Sequence, residues 1–391
     1  MRRISALVIL HFVVDSYALM IPALWLPIKH RYGLSAAEVG MVLGLCTLPF
    51  GLCQPLWGML SDRVDVRRLL ALGPVVAVLG ISMVMLRQPL PLSVLFIMIG
   101  CCGVGFFHPE AGITATRLGR TGMSRTLGFF LVGGFLGQAT GPLWISYVVE
   151  FETSATIQTT LAIAPGLALI VVGAIMFGKP AGRHTRDTDE QASWLQALAG
   201  RHWPVWLLIA MNTTRFFCLF VLLYTIPSYL AAAGHGQIMV GQWQSIFNGS
   251  QAFGLLLGGM TAKFGRERMI CVGSTALSLV PLLLLPIFEG TSMIVCLAFI
   301  GAGMAWTTAI VIQIGQGLVS RAGRWMTGML IGFASGISAL TGPWLVGDLV
   351  DNFSPSTPLY WATGFAVATL VTALALPPQK RLNALRDRPG G

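Results

Sequence analysis

Two pairs of titratable residues lie inside apolar stretches of the chain. His11 and Asp15 are four residues apart in the first stretch, and His108 and Glu110 flank Pro109 in another. Helical residues four apart share a face, and an imidazole beside a carboxylate can hold or release a proton near neutral pH. Because ionisable groups at membrane depth are usually functional, we expect these residues to exchange a proton, with Asp15 as first candidate and Glu110 as second.

The segment 106–110 (FFHPE) places these groups next to a break in helical hydrogen bonding. Proline has no N–H, so carbonyls near His108 lose partners, and irregular backbone at membrane depth is tolerated where it lines a cavity. We therefore expect Phe107 and His108 to contact a substrate. A structural alternative is that Glu110 pairs with Arg117.

No group of residues has the spacing of a known metal or catalytic motif. A metal site built from His11, Asp15, His108 and Glu110 is conceivable, but its spacing is that of no metal motif. The seven cysteines include no C-x-x-C pair, and the chain has no H-E-x-x-H, P-loop or G-x-S-x-G sequence. We predict no metal, no cofactor and no enzymatic activity.

The composition indicates a membrane protein. The chain is 55% hydrophobic and only 10% charged, with a mean hydropathy of +0.75, whereas soluble domains carry about 25% charged residues. Apolar runs of roughly 20 residues, long enough to span a bilayer, recur throughout. We count twelve, at about 4–28, 38–60, 69–87, 90–114, 127–149, 157–178, 204–230, 237–261, 269–288, 291–316, 326–347 and 358–377.

The basic residues follow the topology of these spans. With the N-terminus in the cytoplasm, cytoplasmic segments hold 21 of the 25 Lys and Arg residues, as the positive-inside rule requires. The net charge of +10 therefore reflects topology, which argues against nucleic-acid binding. We predict a multi-pass, monomeric protein of the bacterial inner membrane with both termini in the cytoplasm.

The second half of the chain repeats the first at an offset of 201 residues. For example, 140–142 (TGP) falls on 341–343 (TGP), and Arg120 falls on Arg321. A constant offset across several spans predicts two pseudo-symmetric six-helix halves with the substrate path between them. The predicted domains are 1–178, a polar cytoplasmic linker 179–203, and 204–391 with a short cytoplasmic tail.

Arg215 is the only Lys or Arg residue in the interior of a predicted span. The offset places Asp15 at position 216, so Asp15 and Arg215 are expected at similar depth in the first span of each half. An anionic substrate could bind the guanidinium while a proton neutralises the carboxylate. Alternatively, the two residues form a static buried ion pair that holds the halves together.

Glycines recur every fourth residue in the fifth predicted span. Gly133, Gly137 and Gly141 share a face and precede Pro142, and Gly342-Pro343 repeats the ending in the eleventh span. Small residues at this spacing let helix backbones approach closely in lipid. A Gly-Pro pair can also bend a helix, so these positions either only pack or also let a gate flex.

A charged loop joins the second and third predicted spans at 58–68 (GMLSDRVDVRR). It resembles the loop between helices 2 and 3 of major facilitator superfamily transporters, and it contains five predicted gating residues: Gly58, Asp62, Arg63, Arg67 and Arg68. We expect Asp62 to act as a latch that meets the positive N-terminus of the eleventh span near 324–327.

A closer resemblance covers mainly residues 8–145. The pair His11 and Asp15, the Gln54-Pro55 pair, the segment 107–110 and the glycines around 132–143 look like the fosmidomycin-resistance branch of the superfamily. The resemblance implies drug:proton antiport and efflux, driven by the proton gradient, and the known drug of that branch is a small phosphonate. An intramembrane arginine would suit such an anion.

These observations predict an all-helical secondary transporter that exports a small organic compound in exchange for protons, with anionic and drug-like compounds as the candidate substrates. Its expected partners are the substrate, protons and the lipid bilayer. An importer or facilitator of a metabolite, a metal or metal-chelate carrier, and a membrane sensor without transport remain alternatives.

Overall fold

The computed structural model describes residues 2–53, 66–118, 123–178, 202–262, 265–319 and 326–386. In these residues the chain is helical and contains no strand. The α-helices are, in chain order, α1 (Arg2–Ala23), α2 (Trp25–Tyr32), α3 (Ala36–Thr47), α4 (Val66–Ser82), α5 (Leu90–Leu118), α6 (Met123–Phe151), α7 (Ala155–Phe177), α8 (His202–Ala232), α9 (Gln237–Thr261), α10 (Glu267–Leu284), α11 (Gly290–Leu318), α12 (Ala334–Asn352), α13 (Thr357–Ala375) and α14 (Gln379–Arg386). A 3₁₀ turn (Met83–Leu86) follows α4, and a π-helical segment (Gly328–Phe333) precedes α12.

Nine of the described helical segments are long and apolar enough to cross a membrane. The other three predicted spans coincide with α3, α4 and α9. Helix α9 is 25 residues long but carries several amide side chains, among them Gln244 and Asn248. The prediction of an all-helical membrane protein is confirmed. The count of twelve spans stays a prediction, because residues 54–60 of the second span lie outside the described residues.

Helices α1 and α6 pack backbone against backbone. A methyl group at Gly133 would lie 2.6 Å from the carbonyl oxygen of Val8, and Gly137 and Gly141 face the carbonyls of Phe12 and Ser16 at closer range. The glycine face predicted from the sequence is therefore a packing surface. Helix α6 also continues through its internal proline, and whether the Gly-Pro positions flex as gates stays a prediction.

The chain forms two compact units. The first comprises Met1–Pro180, Val221–Gly249 and Ala339–Pro358, and the second comprises Ala181–Phe220, Ser250–Ser338 and Leu359–Gly391. The first unit thus contains residues from both sides of the predicted linker, whereas the second contains none that precede it. Of that linker, only 202 and 203 lie within the described residues.

In the first unit, two helix pairs pack in the same way and are related by the 201-residue offset. Gly40 of α3 abuts the carbonyl of Pro343 in α12, and Gly241 of α9 faces the carbonyl of Pro142 in α6. Adding 201 to Gly40 gives Gly241, and adding 201 to Pro142 gives Pro343, so the two pairs are repeat counterparts with the halves exchanged. The predicted internal repeat is therefore visible as repeated packing.

Carboxylates repeat at the same places. Asp351, at the end of α12, accepts hydrogen bonds from the backbone N–H groups of Ala36 and Ala37 at 3.1 and 2.7 Å. Its counterpart Glu150, at the end of α6, has a carboxylate oxygen 3.6 Å from the place that a methyl group at Gly236 would occupy. Each acid thus lies beside the N-terminus of the helix packed against its own, where negative charge is favourable.

The second unit contains an apolar core that includes residues of α8, α11 and α14. Leu382 and Leu385 of α14 are buried in this core. The amide of Gln379 donates to the carboxylate of Glu267 at 2.6 Å, and Arg268 donates to the carbonyl of Leu374 at 2.7 Å. The tail after the last predicted span therefore begins as a helix docked on the unit.

The charged loop at 58–68 is largely outside the described residues. Gly58, Asp62 and Arg63 fall there, as do residues 320–325, and the side chains of Arg67 and Arg68 at the start of α4 are not described. The latch between Asp62 and the eleventh span stays a prediction.

Candidate functional site

Helices α1 and α5 bring three titratable side chains together in the first unit. Nε2 of His108 lies 3.0 Å from Oδ1 of Asp15, and Nε2 of His11 lies 3.4 Å from Oδ2 of the same carboxylate. His11 and Asp15 are buried, whereas the side chain of His108 is 22% exposed. We call these three residues the His–Asp–His cluster. The sequence predicts that His11 and Asp15 share a face of α1, and the fold brings His108 of α5 into contact with them.

Both imidazole rings are held by main-chain carbonyls. Nδ1 of His11 lies 2.7 Å from the carbonyl oxygen of Phe130, and Nδ1 of His108 lies 2.8 Å from that of Val104. Carbonyl oxygens only accept, so each Nδ1 carries the hydrogen. The orientation of both rings is thus fixed with Nε2 directed at Asp15.

The contact between His108 and Asp15 requires a proton on one of the two side chains. A neutral imidazole with hydrogen on Nδ1 has a lone pair on Nε2, which repels an ionised carboxylate. The contact between His108 and Asp15 is attractive only if Nε2 is protonated, giving an imidazolium–carboxylate pair, or if Asp15 itself is protonated. The cluster can therefore store one proton that either partner can hold, and the two residues titrate as a coupled pair.

Aromatic rings surround the cluster. Phe130 stacks on His11 with ring centroids 4.0 Å apart, Phe107 lies 6.1 Å from it, and Phe50 lies 5.6 Å from His108. These apolar rings leave few positions for further polar partners of Asp15. Phe107 is fully buried, and its predicted contact with substrate stays a prediction.

Helix α6 contributes two residues, Gln138 and Gly134, whose contacts with the cluster are not predicted from the sequence. The amide of Gln138 donates to Oδ2 of Asp15 at 2.8 Å. A methyl group at Gly134 would lie 2.6 Å from Nε2 of His11 and 2.7 Å from Oδ2 of Asp15, so only glycine leaves room for the cluster. One signal in the sequence was the Gly133-Gly134 pair. Packing against α1 explains Gly133, which shares a face with Gly137 and Gly141, but it does not explain Gly134.

Glu110 does not join this cluster. It lies two residues after His108 on α5 and is 3% exposed, and the group of mutually close titratable atoms includes only His11, Asp15 and His108. The side chain of Arg117, its predicted alternative partner, is not described.

The second unit buries the guanidinium of Arg215, which is 1% exposed. Nε donates to Oδ1 of Asn212 at 2.9 Å, and one terminal nitrogen donates to the carbonyl of Met304 at 3.0 Å and to the hydroxyl of Thr308 at 2.9 Å. The guanidinium carbon lies 4.5 Å from the ring centroid of Phe216. All these partners are uncharged.

Among the described residues, no carboxylate forms an ion pair with Arg215, and its second terminal nitrogen makes no hydrogen bond. The described ion pairs of Asp15 are with the two histidines. Asn212 is itself held by a hydrogen bond to the carbonyl of Leu330. A fixed, buried cation with an unused donor is suited to binding one anionic group.

The His–Asp–His cluster also has the donor atoms of a metal site. One ligand atom from each residue lies within 4.8 Å of the others, and imidazole and carboxylate groups bind divalent transition metals. The prediction of no metal stays a prediction.

Comparisons with known proteins agree with this architecture. An uncharacterized MFS-type transporter, YfnC, of Bacillus subtilis (strain 168) is 24% identical over 326 residues, which cover 80% of this chain and 77% of YfnC. The fosmidomycin resistance protein of Escherichia coli (strain K12) is 24% identical over 174 residues, which cover 44% of this chain and 42% of that protein.

The crystal structure of a mutant nucleoside transporter, NupG, superposes with a TM-score of 0.75 at 14% identity, covering 96% of this chain and 98% of NupG. At that identity, the likeness concerns the fold. The sequence profile of the Major Facilitator Superfamily matches residues 6–327. The chain therefore belongs to the major facilitator superfamily of transporters.

Proposed function

We propose that this transporter exports a small organic anion in exchange for protons. The observation that carries the proposal is the contact of 3.0 Å between Nε2 of His108 and Oδ1 of Asp15, which is attractive only when a proton is present. A transporter coupled to protons needs a buried group that gains and loses a proton during its cycle. Asp15 is that group, with His11 and His108 as its partners and Glu110 as second candidate.

Arg215 is the proposed anchor for the substrate. A buried charge without an opposite charge is expensive, and the described partners of this guanidinium are all uncharged. A carboxylate or phosphonate group would supply the missing charge and accept from the unused nitrogen. His108, the most exposed member of the cluster, is the second candidate for substrate contact.

Export is supported by the similarity to a fosmidomycin resistance protein and by the resemblance of residues 8–145, including the glycines around 132–143, to that branch of the superfamily. The proposed protein is a monomer in a bacterial inner membrane, and the positive-inside distribution supports cytoplasmic termini. No nucleotide motif is present in the sequence, so the proton gradient is the proposed driving force.

Proteoliposomes test the proposal. Fosmidomycin and methylphosphonate serve as probes, and a pH-sensitive dye inside the vesicles reports proton movement. An acid-inside gradient should drive uptake of a labelled probe, and addition of the probe without a gradient should move protons in the opposite direction. Asp15→Asn should abolish gradient-driven uptake, whereas Asp348→Asn, at an acid outside the cluster, should not.

The alternatives give different results in the same vesicles. Uptake driven only by an acid-outside gradient would identify a proton symporter, which is the result expected of an importer. Binding without flux would identify a sensor. If the protein instead carries a metal ion, as the clustered ligand atoms allow, Zn²⁺ should bind the purified protein, be transported, and lose its binding in His108→Gln.

A further inference from the structure

A proline in α6 releases the carbonyl of Gln138. In an α-helix, the N–H of each residue donates to the carbonyl four residues earlier. Pro142 has no N–H, yet α6 continues through it from Met123 to Phe151. The main-chain oxygen of Gln138 is therefore left without its helical donor.

Asn248 of α9 supplies the missing hydrogen bond. Its side-chain nitrogen donates to the carbonyl oxygen of Gln138 at 3.2 Å, and the residue is 1% exposed. Both residues belong to the first compact unit, although α9 follows the predicted linker in sequence.

Gln138 thus makes two contacts in different directions. Its side-chain amide donates to Oδ2 of Asp15 at 2.8 Å, and its main chain accepts from Asn248. Hydrogen bonds to an ionised carboxylate are about twice as strong as those to a neutral group. Because the side-chain contact strengthens or weakens with the charge of Asp15, the position of Gln138, and with it the carbonyl that Asn248 holds, depends on the proton.

The internal repeat shows that packing alone does not require this contact. At the 201-residue offset, Pro142 has the counterpart Pro343, but Gln138 falls on Ala339. Asn248 falls back on Thr47, whose hydroxyl donates to Gly44 within its own helix at 2.8 Å. The proline is present in both halves, whereas the two amide side chains occur only where the His–Asp–His cluster lies.

We infer that Asn248 is a positioning residue that transmits the protonation of the His–Asp–His cluster to α9 through Gln138. The inference rests on the proposed function, because it takes Asp15 as the proton-binding group. The titratable groups that face Asp15 are His11 on its own helix and His108 from α5, while α6 contributes the uncharged Gln138. Glu110 is the next acid along α5.

Hydrogen–deuterium exchange of the protein in nanodiscs tests the inference without a substrate. We expect backbone exchange in α9 around 244–252 to differ about fivefold between about pH 5.5 and about pH 8, after correction for intrinsic rates, a size typical of coupling between sites. Asp15→Asn should remove the difference throughout. Asn248→Ala should remove it in α9 and keep it in α1 and α5, and Thr47→Val, at the repeat position, should leave it intact.

A second variant separates transmission from loss of packing. Pro142→Ala restores an N–H for the carbonyl of Gln138, so it should also remove the pH difference in α9, and adding Asn248→Ala should change nothing further. A pH difference in α9 that survives Asn248→Ala in a folded protein would overturn the inference, as would its absence from the wild type. Transport of the probes that is not driven by protons would contradict the proposed function. The hydrogen–deuterium exchange result does not depend on that transport measurement.

Discussion

Nε2 of His108 and Oδ1 of Asp15 lie 3.0 Å apart, while Nδ1 of the same ring is occupied by the carbonyl of Val104. The imidazole therefore has only one nitrogen left for the carboxylate, and that nitrogen must carry a second hydrogen unless the acid is protonated. In the proposed cycle, the site holds a proton in this conformation and releases it when the cluster rearranges.

Replacement of Asp15 by Asn should separate transport from the proton gradient. Asparagine keeps the size and a carbonyl acceptor for Gln138 but cannot exchange a proton. We expect gradient-driven uptake of fosmidomycin into proteoliposomes to be lost, while exchange between labelled and unlabelled probe continues. Asp348→Asn is the control. Full gradient-driven uptake by Asp15→Asn would exclude this acid as the proton carrier.

Gly134→Ala should disturb the cluster directly. The added methyl would lie within 2.7 Å of polar atoms of His11 and Asp15, so the side chains must move apart, at a cost of about 1–3 kcal/mol for overpacking. We expect loss of proton-driven uptake and a lower melting temperature. The matched control is Gly128→Ala on the same helix, where nothing lies within 4 Å and alanine should stabilise by about 0.5–1 kcal/mol. Equal uptake and equal melting temperatures in the two variants would argue against close packing of Gly134 on His11 and Asp15.

How far the sequence predicts this site depends on which contacts are local. His11 and Asp15 were grouped because helical spacing fixes their shared face, and the segment 107–110 was singled out because polar groups are costly in apolar spans. The contact between the two groups depends on how α1 and α5 are rotated about their axes. Periodicity does not specify that rotation for helices as uniformly apolar as these.

Gln138 and Asn248 were not selected for a related reason. Single amide residues occur often in transmembrane helices, so their presence alone does not indicate a site. The informative signal was a spacing, because Pro142 lies four residues after Gln138, and only one half of the repeat has an amide there. The fold class was predictable, since twelve apolar runs and the distribution of basic residues between them follow from the order of residues along the chain.

Arg215→Gln should weaken anion binding more than transport of protons. Removing a buried cation that hydrogen-bonds the substrate costs about 1.5–3 kcal/mol, a loss of about tenfold or more in affinity. We expect this loss for fosmidomycin in a binding assay, and also a smaller loss for Arg215→Lys, which cannot reproduce the fork of donors. Arg266→Gln, at an exposed arginine of the same unit, is the control. Unchanged affinity in Arg215→Gln would place the substrate elsewhere.

Asp351→Ala should loosen the start of α3. The carboxylate accepts from two backbone N–H groups, and loss of such a capping side chain costs about 0.5–2 kcal/mol. Hydrogen–deuterium exchange at Ala36 and Ala37 should therefore accelerate by about two- to thirtyfold. Asp348→Ala, one turn earlier on α12, should leave it unchanged. If the amides of Ala36 and Ala37 stay protected in Asp351→Ala, the backbone packing of Gly40 and Gly347 is enough to protect them.

In the proposed exchange, Asp15 gives up its proton when the substrate binds, so proton release on substrate binding is the most direct test. Fosmidomycin and methylphosphonate are added in turn to the purified protein in weakly buffered detergent solution, and an indicator dye records the pH. We expect proton release from the wild type and none from Asp15→Asn. Equal release from both proteins, or none from the wild type, would contradict it.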